Sequence, residues 1–177
     1  MHPPPFEHSV AAVDYAHPWD GLLTAYKFHQ AVDLAPALAA CMVQAVRRGA
    51  AARPDIVLPM PLSAARLRER GYNQAWELAR RIAAALHMPA DPRLLLRVRD
   101  SAHQLTLPPA ARTANVQGVF AVEPRRLTEV RGRSIALVDD VLTTGATAAE
   151  ATRVLLQAGA RTVQVWVLAR TPAPADR

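Results

Sequence analysis

The sequence holds one cysteine, Cys41. No disulfide can close within the chain, and no multi-cysteine zinc site can form. Of its 21 basic residues one is a lysine, Lys27, and 20 are arginines. Aromatic residues make up 5% of the chain, too few for the stacking platforms of a single-stranded nucleic-acid binder. The longest stretch without a charged side chain is Leu34–Val46, 13 residues, short of the roughly 20 that a membrane-spanning helix needs. The start, Met1-His2-Pro3-Pro4-Pro5, has no basic region followed by an apolar one, so it is no secretory signal. Neither G-x-x-x-x-G-K-[ST] nor G-x-G-x-x-G occurs, and no two histidines stand at metal-ligand spacing. These absences predict a soluble, cytoplasmic protein without a membrane span.

What is present is enough for one full core. The chain has 177 residues, 51% of them hydrophobic, the size of a single domain with at most a small appendage. The formal net charge is +6. Arginine makes flat, two-pronged hydrogen bonds to phosphate, so this balance favours anionic partners. A solvated arginine-rich surface accounts for any one of these side chains equally well.

The order of elements reads as follows. Residues 1–13 are Pro-rich and are expected to be loosely ordered. A domain spans 14–171, and 172–177 is a tail. Helices are expected at Trp19–Phe28, Asp33–Arg48, Tyr72–Leu86 and Thr147–Ala158, the second and third with an apolar stripe at helical spacing. Strands are expected at Asp55–Leu58, Leu94–Val98, Ser134–Val138 and Thr162–Leu168. Asp100–Val116 has two prolines and no period, and reads as a long loop. Strands alternating with helices predict an α/β fold, a parallel sheet flanked by helices on both faces. Ligands of such a sheet bind beyond the carboxyl ends of its strands.

The most informative segment is Val138-Asp139-Asp140-Val141-Leu142-Thr143-Thr144-Gly145-Ala146-Thr147. An apolar strand runs into two carboxylates, then a Thr/Gly turn, then a helix. Two aspartates at a strand end are costly to bury unless they bind something. They suit two neighbouring hydroxyls, such as those of a ribose. The turn offers free backbone N–H groups and hydroxyls at a helix N-terminus, an anion cup for a phosphate. Gly145 lets the backbone approach closely. Diol acceptors followed by a phosphate cup describe a ribose 5-phosphate site. Pro59-Met60-Pro61 follows the first predicted strand, with Arg66, Arg68 and Arg70 close behind, and Gly71 beside Arg70 permits an unusual turn. Lys27 can reach a phosphate or can extend from its helix into solvent.

The segment at 138–147 resembles the phosphoribosyl pyrophosphate (PRPP) motif of type I phosphoribosyltransferases. Further blocks, Tyr26-Lys27-Phe28, Pro59-Met60-Pro61, Arg70-Gly71-Tyr72-Asn73-Gln74, and Gln104, Leu107, Arg112, Asn115 and Phe120, resemble the competence-associated ComF/GntX family in the same order. The resemblance implies a phosphoribosyltransferase-like fold with a small hood over the strand ends. It implies that Asp139 and Asp140 hold the ribose hydroxyls, and that Thr143, Thr144, Gly145, Ala146 and Thr147 hold the 5-phosphate. It implies a pyrophosphate loop at Pro59, Met60 and Pro61 with Arg70 as its catalytic cation, and a closing loop at 100–116 with Gln104 and Arg112 as contacts. Mg2+ would be carried mainly by PRPP and water. Position 143 is an aspartate in hypoxanthine- and guanine-salvage enzymes; Thr143 counts against that acceptor class. Family members commonly carry a cysteine-rich zinc module that one cysteine cannot build; either the chain is a short form or its start lies downstream.

Two functions are compatible with these residues. One is a phosphoribosyl transfer to an unidentified acceptor with pyrophosphate release. The other is a non-catalytic PRPP or nucleotide sensor that serves DNA uptake. Partners are then PRPP or a nucleotide, and the DNA-uptake machinery; direct nucleic-acid binding ranks last, and monomer and dimer are both open.

Overall fold

A computed structural model describes residues 3–28, 31–49, 52–99 and 118–171. Its main sheet has four parallel strands: β1 (His8–Asp14), β2 (Ile56–Pro59), β5 (Ser134–Leu142) and β6 (Thr162–Arg170), in the order β1-β6-β5-β2. Strands β3 (Leu95–Arg97) and β4 (Phe120–Val122) pair antiparallel as a separate ribbon. The helices are α1 (Trp19–Phe28), α2 (Ala35–Arg48), α3 (Ala64–Arg70), α4 (Gln74–Ala85) and α5 (Ala146–Gln157), with short 3-10 turns at Val32–Leu34 and Pro124–Glu129. The parallel sheet flanked by helices is the architecture that the alternation of elements predicts.

The central strands are apolar on both faces because both faces are covered. Side chains alternate along β5. Ile135 and Leu137 pack with Ala148, Ala151 and Leu155 of α5 and with Phe120 and Val122 of β4. Ala136 and Val138 pack on the opposite face with Leu38 and Met42 of α2, Leu78 and Ile82 of α4, and Tyr26 of α1. Two residues beyond Val138, Asp140 lies toward the same α1/α4 face, beside Lys27 and Gln74.

The connections locate the crevice. From β5 the chain passes through α5 to β6, its neighbour on one side. From β2 it passes through α4 to Ala90, which bridges Val57 in parallel on the other side. The chain therefore leaves β2 and β5 in opposite directions. Adjacent parallel strands that part in this way open a crevice at their carboxyl ends, where ligands of open α/β sheets bind.

Several elements differ from the sequence reading. Residues 8–14 are not loose: they form the edge strand β1, in register with Gln164–Arg170 of β6. The three prolines just before it and its small residues conceal the strand pattern. The stretch after Pro61 contains α3, capped by Ser63 and closed by Gly71 at φ 79°. A charged seven-residue helix without buried side chains has no apolar stripe to read. Strand β5 extends through both aspartates to Leu142. The predicted loop at 100–116 lies outside the described residues.

Candidate functional site

Asp140 is 3% exposed and stands in β5 with both carboxylate oxygens engaged. Its Oδ2 lies 2.9 Å from Lys27 Nζ and accepts from Gln74 Nε2 at 3.3 Å. Its Oδ1 accepts from the Val141 N–H at 2.8 Å. Asp139 is half-buried, and its Oδ1 accepts from the Asp140 N–H at 2.8 Å. Burial pushes the Asp139 carboxyl well above its ordinary value, and the adjacent Asp140 charge pushes it further; Lys27 pulls part of the way back.

The residues around Asp140 come from two distant parts of the chain. The Tyr26 hydroxyl donates to the Gln74 carbonyl at 2.8 Å. The Tyr72 hydroxyl donates to the Tyr26 carbonyl. The two rings lie 6.1 Å apart, tilted by 58°. These bonds tie the end of α1 to the start of α4, so that Lys27 and Gln74 converge on one carboxylate. Burial raises both phenols above their ordinary range, which keeps them neutral donors.

The Thr143–Gly145 turn follows β5 directly. Gly145 takes φ 76° and serves as N-cap of α5. A left-handed residue there reverses the chain so that the first N–H groups of α5 point outward beyond the strand end. The Ala146 N–H reaches Thr144 Oγ1 at 3.4 Å, while the Ala149 N–H already bonds the Gly145 carbonyl. The first turn of α5 carries no acidic residue, so the positive end of the helix dipole is not offset from within. Thr143 and Thr144 are exposed, and Thr147 is half-buried beside them.

The loop after β2 lines the other side of the crevice. The Met60 N–H donates to the Val138 carbonyl at 2.7 Å, which places Pro59, Met60 and Pro61 beside the strand segment that leads into the acidic pair. The Asn73 amide donates to the Met60 carbonyl at 3.1 Å. Arg70 ends α3, half-buried, and its charge opposes the rise of the Tyr72 phenol. Arg68 is exposed on the same short helix. Gln104 and Arg112 lie outside the described residues. Among the described residues, no group of three or more His, Cys, Asp or Glu is arranged to hold a metal ion, and no helix is long and apolar enough to cross a membrane.

Sequence reasoning placed Asp139, Asp140 and the 143–147 turn together. It left out the roles of Gln74, Tyr26, Tyr72 and Asn73, which were visible only as blocks of resemblance. Their reason is now physical: Tyr26-Lys27 and Tyr72-Asn73-Gln74 are the two halves of the frame around Asp140 and the β2 loop.

Comparisons with known proteins show the family and the fold. The phosphoribosyl transferase domain matches residues 73–177. The chain is 36% identical over 173 residues to the DNA utilization protein YhgH of Escherichia coli strain K12, covering 96% of this chain and 74% of that one. It is 32% identical over 171 residues to competence protein F of Haemophilus influenzae, covering 94% and 74%. Among solved structures, the fold resembles the glutamine PRPP amidotransferase from B. subtilis complexed with ADP and GMP, with a TM-score of 0.54 and 19% identity. That match covers 82% of this chain and 30% of the other, much longer one. A second, described as the allosteric regulatory enzyme of purine biosynthesis, has a TM-score of 0.53 at 21% identity over 82% of this chain and 30% of that one.

Proposed function

The chain belongs to the phosphoribosyl transferase domain family and is a relative of the DNA utilization and competence proteins; from that premise we propose that it binds PRPP or a ribose 5-phosphate nucleotide at the carboxyl ends of β2 and β5, and transfers the phosphoribosyl group to an acceptor. The supporting observation is the adjacency of three features at one crevice. They are the Asp139–Asp140 pair, the outward N–H groups of the Thr143–Thr147 turn, and the Pro59–Pro61 loop hydrogen-bonded to Val138.

In this reading the carboxylates accept from the 2- and 3-hydroxyls of the ribose, and the turn holds the 5-phosphate. The anomeric carbon then faces the β2 loop. Its bond to the pyrophosphate oxygen breaks, a bond to the acceptor's nucleophilic atom forms, and pyrophosphate leaves as the anion. Arg70 and the loop backbone stabilise that charge; charge-assisted hydrogen bonds contribute roughly 1.5–3 kcal/mol each. Asp140 Oδ2 is already paired with Lys27 and Gln74, which leaves its Oδ1, bonded by one N–H, and the Asp139 carboxylate to accept from the ribose. Mg2+, carried by the oxygens of PRPP and by water, would supply further neutralisation of the diphosphate.

Thr143 favours a second reading. An acid at that position would be placed for proton transfer to or from a base, and a threonine is not. The same site without acceptor chemistry is a PRPP or nucleotide sensor for DNA uptake. Pyrophosphate release from PRPP–Mg2+, measured against a panel of bases and amines, separates the two. Release with any acceptor supports transfer. Tight PRPP binding with no release across the panel supports the sensor. Absence of PRPP and nucleotide binding overturns both.

A further inference from the structure

We propose that Lys27, together with Gln74, is a positioning residue: it clamps the Asp140 carboxylate in one orientation as a fixed, charged acceptor, and acts on the ribose through Asp140 rather than on a phosphate directly. This rests on the ribose reading of the acidic pair given above.

Four observations support the clamp. Lys27 Nζ and Gln74 Nε2 meet the same oxygen, Asp140 Oδ2, at 2.9 and 3.3 Å. Asp140 is 3% exposed, and an ionised buried carboxylate requires a paired charge and hydrogen bonds. Asp140 sits on the face of β5 that looks toward α1 and α4, away from α5 and its phosphate turn. The two clamping residues are themselves held in a closed ring. Tyr26, next to Lys27, donates to the Gln74 carbonyl, and Tyr72 donates back to the Tyr26 carbonyl. Moving Lys27 to a phosphate would leave the acidic pair without the cation that now neutralises it.

Among the described residues, the groups that could answer for the charge of the pair instead are few. On α1 these are Lys27 and Tyr26; at the start of α4 there is Tyr72. Both phenols are neutral, raised by burial. Glu77 of α4 is committed to Arg80 and Arg81. Arg70 of α3 acts on Tyr72. The strands beside Asp139 and Val138 present Val167 and Pro59, which do not titrate, and the first turn of α5 has no acid.

The test uses the full chain and two independent readouts. The first is calorimetric affinity for PRPP–Mg2+, ribose 5-phosphate and pyrophosphate in the wild type, Lys27→Met, Lys27→Arg, Asp140→Asn and the Lys27→Met/Asp140→Asn double variant. Lys27→Met should weaken PRPP and ribose 5-phosphate by the same factor, on the order of tenfold, and leave pyrophosphate unchanged. Lys27→Arg should recover most of the loss, and the double variant should be no weaker than Asp140→Asn alone. The second readout is the NMR titration of the Asp139 carboxyl carbon without ligand, which Lys27 pulls down and which should move to higher pH in Lys27→Met and return in Lys27→Arg. Loss of PRPP and pyrophosphate with ribose 5-phosphate unaffected would assign Lys27 to a phosphate and overturn the proposal, as would an unmoved titration. If the wild type binds neither PRPP nor ribose 5-phosphate while the titration moves as expected, the clamp stands and the ribose reading falls.

Discussion

The Asn73 side-chain amide donates to the Met60 carbonyl at 3.1 Å, while its oxygen caps α4 through the Ala75 and Trp76 N–H groups at 2.9 and 3.3 Å. One side chain thus fixes both the start of a core helix and the loop assigned to pyrophosphate. Asn73→Ala should cost about 0.5–2 kcal/mol as a lost cap, which lowers the melting temperature by about 2–4 °C per kcal/mol for a chain of this size. It should also weaken pyrophosphate binding. Asn73→Asp keeps the cap but not the donor, so it should regain stability without regaining pyrophosphate affinity. Equal recovery of both would show that the Met60 contact is idle.

Asp139 predicts a stability gain at the expense of binding. Its carboxyl is held above the ordinary value by burial and by Asp140. The folded state therefore holds that proton more tightly than the unfolded chain does. The penalty for the charge is absent below the ordinary value of 3.8. It grows as pH rises through the window up to the raised folded value, and is complete above it. Asp139→Asn should raise the melting temperature at pH 8 and have little effect at pH 4. Thermal unfolding at the two values checks this; a destabilised variant at pH 8 would contradict it.

Thr144 should separate the two phosphate subsites. Its Oγ1 lies 3.4 Å from the Ala146 N–H at the mouth of the α5 N-terminus. Thr144→Ala should weaken ribose 5-phosphate by about tenfold or more, the effect of one hydrogen bond to a charged group, and should barely affect free pyrophosphate. An equal loss of both in calorimetry would mean that the subsites are assigned wrongly.

Gly145 should be a conformational requirement. A Cβ there would meet only Leu142 Cδ1, at an ordinary 3.8 Å, but φ is 76°. Gly145→Ala should therefore cost about 1–2 kcal/mol through the left-handed backbone alone, read as a lower melting temperature. It should also reduce affinity for ribose 5-phosphate by displacing the N–H groups of the turn. A fully stable variant with unchanged affinity would sink this account of the turn.

Much of this was legible in the sequence where a physical pattern is long and local. The runs Ile135–Val138 and Val163–Leu168, and the stripe on Ala75, Leu78, Ala79 and Ile82, announce buried strands and an amphipathic helix. The acidic pair and its turn sit within ten consecutive residues, so their chemistry could be read together. Strand β1 and helix α3 were not legible. The first is made by pairing with β6 and has no alternating face of its own; the second lacks any buried side chain. The partner of Lys27 was not legible either, because nothing local links it to Asp140. That contact exists only once Tyr26, Tyr72 and Gln74 bring α1 and α4 together.

The most direct test of the central claim is the affinity of the Asp139→Asn/Asp140→Asn double variant for PRPP–Mg2+, measured by calorimetry alongside circular dichroism and thermal unfolding. Neither substitution changes volume much, and Asp139→Asn relieves a charge that burial disfavours, so a folded protein is expected. The account predicts a native spectrum, a cooperative transition and loss of PRPP binding that the wild type displays. A folded double variant that binds PRPP with wild-type affinity would contradict it, and the ribose site would have to be sought elsewhere on the molecule.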